Sequence, residues 1–367
     1  MDFYMPTKLI TGRDAVRDNA ALLASFGKRC LIVTGATAAK RSGALDDATA
    51  ALTQNGIAYT VFDRILPNPT MASCIEAGRM GVDFEADFVL GIGGGSPLDA
   101  AKVVAVSIAN PSLTEPELFS LAWPNKPVPI VLIGTTSGTG SEVTQVSVIT
   151  NENGNKVGVR SDDLYAALAF GDPRYTESMP LSVTATTGVD ALCHCIESYL
   201  NNAANDICRA LAVQGIRMLL PLLNKVADGN LPTLFERETL YNASIIGGLA
   251  ISIDGTVAPH AIGYLLTEQY NVPHGFACAA FLPALFEHVA RFEPALAEEF
   301  FTRIGATRAE LVALTQRLLP KFAFRLTDEQ IRALAPRWPL SLRNIFKTPG
   351  TCDQAAVEAF LKSVFQA

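Results

Sequence analysis

Short apolar runs recur through the first half of the chain, and each is followed by a stretch whose apolar residues repeat at helical spacing. Positions 30–34, 58–62, 87–92 and 128–133 read as buried strands. Positions 42–54, 71–80 and 97–108 read as the helices between them. Strands alternating with helices of this length imply parallel βαβ units and a nucleotide-type α/β domain. From about Pro180 the pattern changes, and 184–201, 205–226 and 234–251 keep helical periodicity with few strand signals. Beyond Arg308 the helices shorten, broken by Pro320, Pro336, Pro339 and Pro349. The expected organisation is an α/β domain over 1–179 and an all-helical domain over 180–367. No repeat or low-complexity linker separates them, so they are expected to pack around a shared cleft.

At 367 residues the chain is long enough for two hydrophobic cores. Hydrophobic residues make up 49% and charged residues 18%, which excludes a disordered chain. The net charge is −7 and no basic block stands out, so neither a nucleic acid nor an anionic membrane is an expected partner. The N-terminal residues lack a basic stretch leading into an apolar one, so no signal peptide is expected. Apolar runs such as 276–285 fall short of the roughly 20 residues that span a bilayer. The seven cysteines, odd in number and scattered through apolar stretches, read as reduced, mostly buried thiols of a cytoplasmic protein. Cys193, His194 and Cys195 are helix neighbours that point in different directions, so they cannot all face one ion. Core packing is the better account of those two cysteines.

Two turns stand out where a strand feeds the next element. The first is Gly91-Ile92-Gly93-Gly94-Gly95-Ser96-Pro97-Leu98-Asp99. Its glycines let backbone approach a diphosphate, and the helix N-terminus offers free N–H groups. Ser96 is expected as the N-cap and Pro97 as the first helical residue. The last glycine of the usual dinucleotide fingerprint is missing, so a merely structural turn explains this run equally well. The second is Gly134-Thr135-Thr136-Ser137-Gly138-Thr139-Gly140-Ser141-Glu142, whose hydroxyls and amides suit phosphate and ribose. Two such turns at the carboxyl ends of strands in one domain point to a ligand bound at that edge.

The chain has four histidines, His194, His260, His274 and His288. Asp190 and His194 are four apart on a helix and project from one face, as two ligands of one ion would. Three imidazoles with a carboxylate would suit Zn²⁺ or Fe²⁺, not Ca²⁺ or Mg²⁺. Unrelated core or surface histidines are the competing account. His288 has no carboxylate at metal spacing and keeps that account.

Taken together these residues resemble the iron-containing (group III) alcohol dehydrogenase family. The signatures are Gly93-Gly94-Gly95-Ser96 with Asp99, and Thr135-Thr136-Ser137-Gly138-Thr139 with Glu142. The helix from Gly188 through Asp190, His194 and Glu197 to Tyr199, and His260 with Pro273-His274-Gly275, complete the set. The resemblance runs from the N-terminus to about Leu282. It implies an α/β dinucleotide-binding domain with a parallel sheet, then an all-α metal-binding domain, in a dehydroquinate synthase-like architecture. It implies Asp190, His194, His260 and His274 as metal ligands. It places Asn68, Gly94, Gly95, Ser96, Asp99, Thr135, Thr136, Thr144 and Lys156 beside the cofactor. The full ligand set favours the alcohol dehydrogenase branch over similar glycerol dehydrogenases, dehydroquinate synthases and metal-free maleylacetate reductases. Two departures matter. Positions 341–349 lack a clear Asn-Pro-Arg segment, which leaves the substrate open, and Tyr264 stands where relatives carry a further histidine, which is expected to alter proton handling.

The implied activity is hydride transfer between NAD(P)H and a short-chain aldehyde or primary alcohol, with Fe²⁺ or Zn²⁺ as Lewis acid on the substrate oxygen. The expected assembly is a homodimer. A small anionic aldehyde, of phosphono- or sulfoacetaldehyde type, is the alternative if Arg343 or Lys347 reaches the substrate; ordinary surface charge is the plainer account of both. For the cofactor, Asp63 after the second strand would favour NAD in a standard dinucleotide fold. In the family resembled, the deciding position follows the first strand, where NAD-preferring relatives carry Asp and this chain has Gly35. Lys40 and Arg41 come next and could meet a 2′-phosphate, so NADP(H) is expected over NAD(H).

Overall fold

The computed structural model describes residues 3–366. The chain divides into two compact units. One comprises Tyr4–Met179 together with Thr233–Gly248, and the other comprises Pro180–Pro232 and the chain from Leu249 onward.

The first unit is built on a six-stranded sheet. Its strands are β1 (Lys8–Thr11), β2 (Arg29–Thr34), β3 (Ala58–Phe62), β4 (Phe88–Gly93), β5 (Ile130–Gly134) and β8 (Leu168–Gly171). They run in the order β1-β8-β5-β4-β2-β3, and every pair is parallel. β4 and β5 are buried at every position, as strands covered on both faces must be. Successive side chains alternate between the faces. Leu31, Val33, Val89 and Leu132 enter one core with Leu98, Ala101 and Val104 of the helix Gly95–Ala109. Cys30, Ile32, Leu90, Val131 and Ile133 enter the other with Ala48 and Leu52 of the helix Ala44–Gln54.

The four strands and three intervening helices expected from the apolar pattern are present, but the sheet has two strands more. β1 and β8 are four residues each, too short for a period to register. Between β5 and β8 the chain also forms an antiparallel hairpin of β6 (Val146–Thr150) and β7 (Lys156–Arg160). Ser96 is not the N-cap. The helix starts at Gly95 behind an extended Gly94, because Gly93, at φ +151°, completes the turn early. The Ser96 hydroxyl instead accepts from the Asn68 amide at 3.3 Å.

From Leu181 onward the named elements are helices, chiefly Leu181–Tyr199, Asp206–Ala227, Leu234–Asp254, Ala258–Tyr270 and His274–Ala279. Leu234–Asp254 was expected wholly in the helical domain, yet most of it packs on the α/β unit. The Tyr241 hydroxyl donates to Glu142 Oε1 at 2.6 Å and Arg237 to the Thr176 carbonyl at 2.7 Å. Gly140 and Gly248 meet so closely that a Cβ on Gly140 would lie 2.6 Å from the Gly248 Cα. Among the described residues no single helix is long and apolar enough to cross a membrane. All seven cysteines are free and buried.

At the end of that long helix burial pushes the Asp254 carboxyl from 3.8 up to about 7, opposed by the Ser198 hydroxyl that donates to it at 3.0 Å. The folded state therefore holds a proton that the unfolded chain releases, and stability falls as pH rises from about 4 to about 7. Asp254→Asn should remove that slope and gain on the order of 2 kcal/mol at pH 8. Urea denaturation at pH 5 and pH 8 checks it.

Candidate active site

In the helical unit, the helix Leu181–Tyr199 is buried without interruption from Gly188 to Tyr199. Asp190 and His194 therefore sit inside a core, where a lone charge is costly unless paired or bound to metal. Asp190 Oδ1 lies 4.0 Å from His194 Nε2, 3.8 Å from His260 Nε2 and 3.9 Å from His274 Nε2. These gaps are too long for hydrogen bonds. They are shorter than twice a metal–nitrogen bond of about 2.1 Å, so each imidazole can share one dication with Asp190. The ligand atoms of Asp190, His260 and His274 also lie within 4.8 Å of one another, in a cluster that does not include His194. The donor set is that of a transition metal.

His260 is aimed from behind by Glu197, whose Oε1 lies 2.5 Å from His260 Nδ1. The other carboxylate oxygen accepts from the Val257 and His260 amides at 2.9 and 3.3 Å, closing the N-terminus of the helix Ala258–Tyr270. With Nδ1 donating to a carboxylate, Nε2 is the ring atom turned toward Asp190, as for a metal-binding histidine. Glu197 stands in the helix signature of the sequence without an expected role. Its position three residues after His194 on the same buried face was the available signal.

His274 opens the short helix His274–Ala279 after Pro273. That helix packs against Leu181–Tyr199 only because Gly275 has no side chain: a Cβ there would fall on the Thr186 carbonyl oxygen and 2.9 Å from Asp190 Cβ. Tyr264 stacks on His274, with ring centroids 5.6 Å apart and planes 14° from parallel. Cys278, one turn after His274, carries its Sγ 3.8 Å from both nitrogens of that ring. Ligand atoms of Asp190, His260, His274 and Cys278 all lie within 4.8 Å of one another. His288 is elsewhere, buried with Nε2 2.8 Å from the Pro349 carbonyl, and burial lowers its pKa.

In the α/β unit the two turns are neighbours. The Thr135 amide donates to the Gly93 carbonyl at 2.8 Å, and a Cβ on Gly95 would lie 2.8 Å from Thr139 Cγ2. Gly94 likewise faces Thr136. Asp99 and Thr144 belong to a buried network centred on Lys102, whose role the sequence reading missed. Lys102 Nζ donates to Ser141 Oγ (2.8 Å), Thr144 Oγ1 (3.2 Å) and the Val146 carbonyl (2.7 Å). Asp99 accepts from Ser141 Oγ at 2.6 Å and from the Val148 amide at 2.9 Å. Burial raises the Asp99 pKa and lowers that of Lys102 to about 8. The network pins β6 to the helix that follows the glycine turn. Lys156 opens β7, and Asn68, at φ +58°, reaches Ser96 through its amide.

After β2 and β3, Lys40 Nζ donates to Asp63 Oδ2 at 2.8 Å, so the two residues favouring opposite cofactors hold each other. The Asp63 pKa is lowered by that bond. A Cβ on Gly35 would meet only the Ile65 carbonyl oxygen, at 3.1 Å. Lys347 is no free surface charge: its Nζ donates to the Asp254 carbonyl at 2.6 Å. Arg343 is exposed at the start of the short helix Arg343–Phe346.

The family model for iron-containing alcohol dehydrogenase matches residues 6–173, and the model for the C-terminal part of the Fe-containing alcohol dehydrogenase family matches 184–322. The chain belongs to the iron-containing alcohol dehydrogenase family. It is 34% identical over 288 residues to long-chain-alcohol dehydrogenase 1 of Geobacillus thermodenitrificans, covering 77% of this chain and 72% of that one. It is also 34% identical over 283 residues to a sulfoacetaldehyde reductase of Bilophila wadsworthia, covering 76% and 73%. The crystal structure of an iron-containing alcohol dehydrogenase from Thermotoga maritima superposes with a TM-score of 0.91 at 32% identity, covering 100% of this chain and 99% of that one. The protein is an oxidoreductase, and membership of the family implies a divalent metal and a nicotinamide cofactor.

Proposed function

We propose that the protein reduces short-chain aldehydes with NAD(P)H, using Fe²⁺ or Zn²⁺ held by Asp190, His194, His260 and His274. The observation that carries this reading is the approach of three imidazole Nε2 atoms to one buried carboxylate oxygen at 3.8–4.0 Å. When bound, the dication supplies Lewis acidity toward the substrate oxygen, and the nicotinamide supplies the hydride.

The protein's part is to position both. The dication's charge, met by neutral imidazoles on three sides, suits an oxygen that becomes more negative as the carbonyl is reduced. Glu197 fixes the His260 ring, and Gly275 allows His274 to reach Asp190. The Tyr264 hydroxyl is the proposed proton carrier, since its ring lies against His274. In the other unit, the amides of Gly94, Gly95 and Ser96 are proposed to meet the cofactor diphosphate, with Thr135, Thr136 and Lys156 flanking it.

NADPH is the proposed preference. Gly35 presents no charge to a 2′-phosphate, and Arg41 is exposed beside Lys40. The Lys40–Asp63 pair is itself half-exposed, so holding it together is worth only about 0–1 kcal/mol and a phosphate can draw Lys40 away. Gly35→Asp should shift the NADPH/NADH ratio of kcat/KM toward NADH by at least about tenfold, through charge repulsion. A wild-type preference for NADH would overturn the NADPH assignment.

The likeness to a sulfoacetaldehyde reductase favours a second substrate class, small anionic aldehydes. One experiment separates the readings: kcat/KM for neutral and anionic aldehydes of equal length, after reconstitution with Fe²⁺ or Zn²⁺. Equal values remove the anionic class. Turnover without net consumption of reduced cofactor would remove the dehydrogenase reading in favour of a synthase-type relative.

A further inference from the structure

We propose that Cys278 is a sulfur donor to the same metal, making the centre a mixed nitrogen, oxygen and sulfur site suited to a thiophilic dication such as Zn²⁺ or Co²⁺. The proposal rests on the metal reading above; the ligand atoms that cluster with the Cys278 sulfur are those of Asp190, His260 and His274.

Three observations carry it. First, Cys278 follows His274 by four residues on one short helix, the spacing that also puts Asp190 and His194 on one face. Second, its Sγ lies 3.8 Å from both ring nitrogens of His274, and within 4.8 Å of the nearest ligand atoms of Asp190 and His260. Metal–sulfur bonds run near 2.3 Å and metal–nitrogen bonds near 2.1 Å, so donors on one ion stand up to about 4.4 Å apart. A side-chain adjustment of a few tenths of an ångström brings the sulfur within bonding reach. Third, the position is selective. Cys193 and Cys195 lie on the ligand-bearing helix itself, yet among the described residues only the Cys278 thiol joins a cluster of ligand atoms.

The chemistry follows from softness. Thiolate favours Zn²⁺ and Co²⁺ over hard cations, and one sulfur in a histidine-rich set adds to the ordering that already ranks Zn²⁺ above Fe²⁺. As the metal–sulfur bond forms, the S–H bond breaks and its proton passes to the solvent buffer. No electron changes hands.

The full-length protein loaded with Co²⁺ provides the test. A sulfur-to-cobalt charge-transfer band should appear in the near ultraviolet and vanish in Cys278→Ser, while Co²⁺ stays bound through the remaining groups. Zn²⁺ affinity, read by competition with a chelating dye, should fall at least about tenfold in Cys278→Ser. X-ray absorption at the zinc edge of the wild-type protein needs no variant and should show one sulfur near 2.3 Å beside nitrogen or oxygen scatterers. Bound Co²⁺ without the band, or a zinc shell of nitrogen and oxygen alone, overturns the sulfur ligand and leaves the metal site standing. A wild-type protein that binds neither Co²⁺ nor Zn²⁺ overturns both.

Discussion

His260→Ala should strip the protein of its metal and lower kcat/KM for aldehyde reduction by at least about a thousandfold. The ring holds two positions at once. Nε2 stands 3.8 Å from Asp190 Oδ1, and Nδ1 is anchored by the buried Glu197. Removing it opens the donor set and leaves Asp190 without the neighbour that Glu197 aims at it. A bound dication is worth several kcal/mol to the reduction of a carbonyl, and each 1.4 kcal/mol or so is a factor of ten, which gives the thousandfold figure. The fold should survive at a cost of about 1–3 kcal/mol, because Glu197 still accepts the Val257 amide. Metal content by mass spectrometry, kcat/KM and a melting curve on the same preparation check the three parts. His288→Ala is the control: its ring bonds the Pro349 carbonyl, so it should cost stability and leave metal content unchanged. A His260→Ala protein that remains active after chelation contradicts the metal reading.

Gly275→Ala should be the most damaging single methyl in the helical unit. The added Cβ would land on the Thr186 carbonyl oxygen, which belongs to helix backbone and cannot swing away. The helix His274–Ala279 must then lift from Leu181–Tyr199, and His274 moves with it. Overpacking of this kind costs about 3 kcal/mol. Melting should fall by several degrees, and Zn²⁺ affinity at least about tenfold, because the ligand loses its position even though no ligand is replaced. Gly154→Ala is the comparison on the stability side. A Cβ there meets nothing within 4 Å, although its φ of +77° makes alanine mildly strained, so a loss of only about 1 kcal/mol is expected. Equal losses in the two variants would show that packing at Gly275 is not the cause.

What the sequence determined by itself was local and periodic. The apolar runs of β2, β4 and β5 identify strands buried on both faces, and alternation with helices implies the parallel sheet. The four-residue interval between Asp190 and His194 puts both on one helical face before any fold is known. The two glycine turns announce themselves by composition. What only the tertiary structure decided lies between residues far apart in the chain. Glu197 meets His260 across 63 positions, and nothing in either helix alone says which carboxylate will face which ring. Lys102 reads as one cation in an apolar helix until β6 closes over it. Thr233–Gly248 has the same helical period as its neighbours, yet belongs with the sheet because Gly140, Glu142 and Thr176 wait there for it. Cys278 has the spacing of a ligand in the sequence, but only the packing of its helix brings the sulfur beside Asp190 and His260. Periodicity fixes which face of an element is apolar; what that face meets is settled by burying all such faces at once.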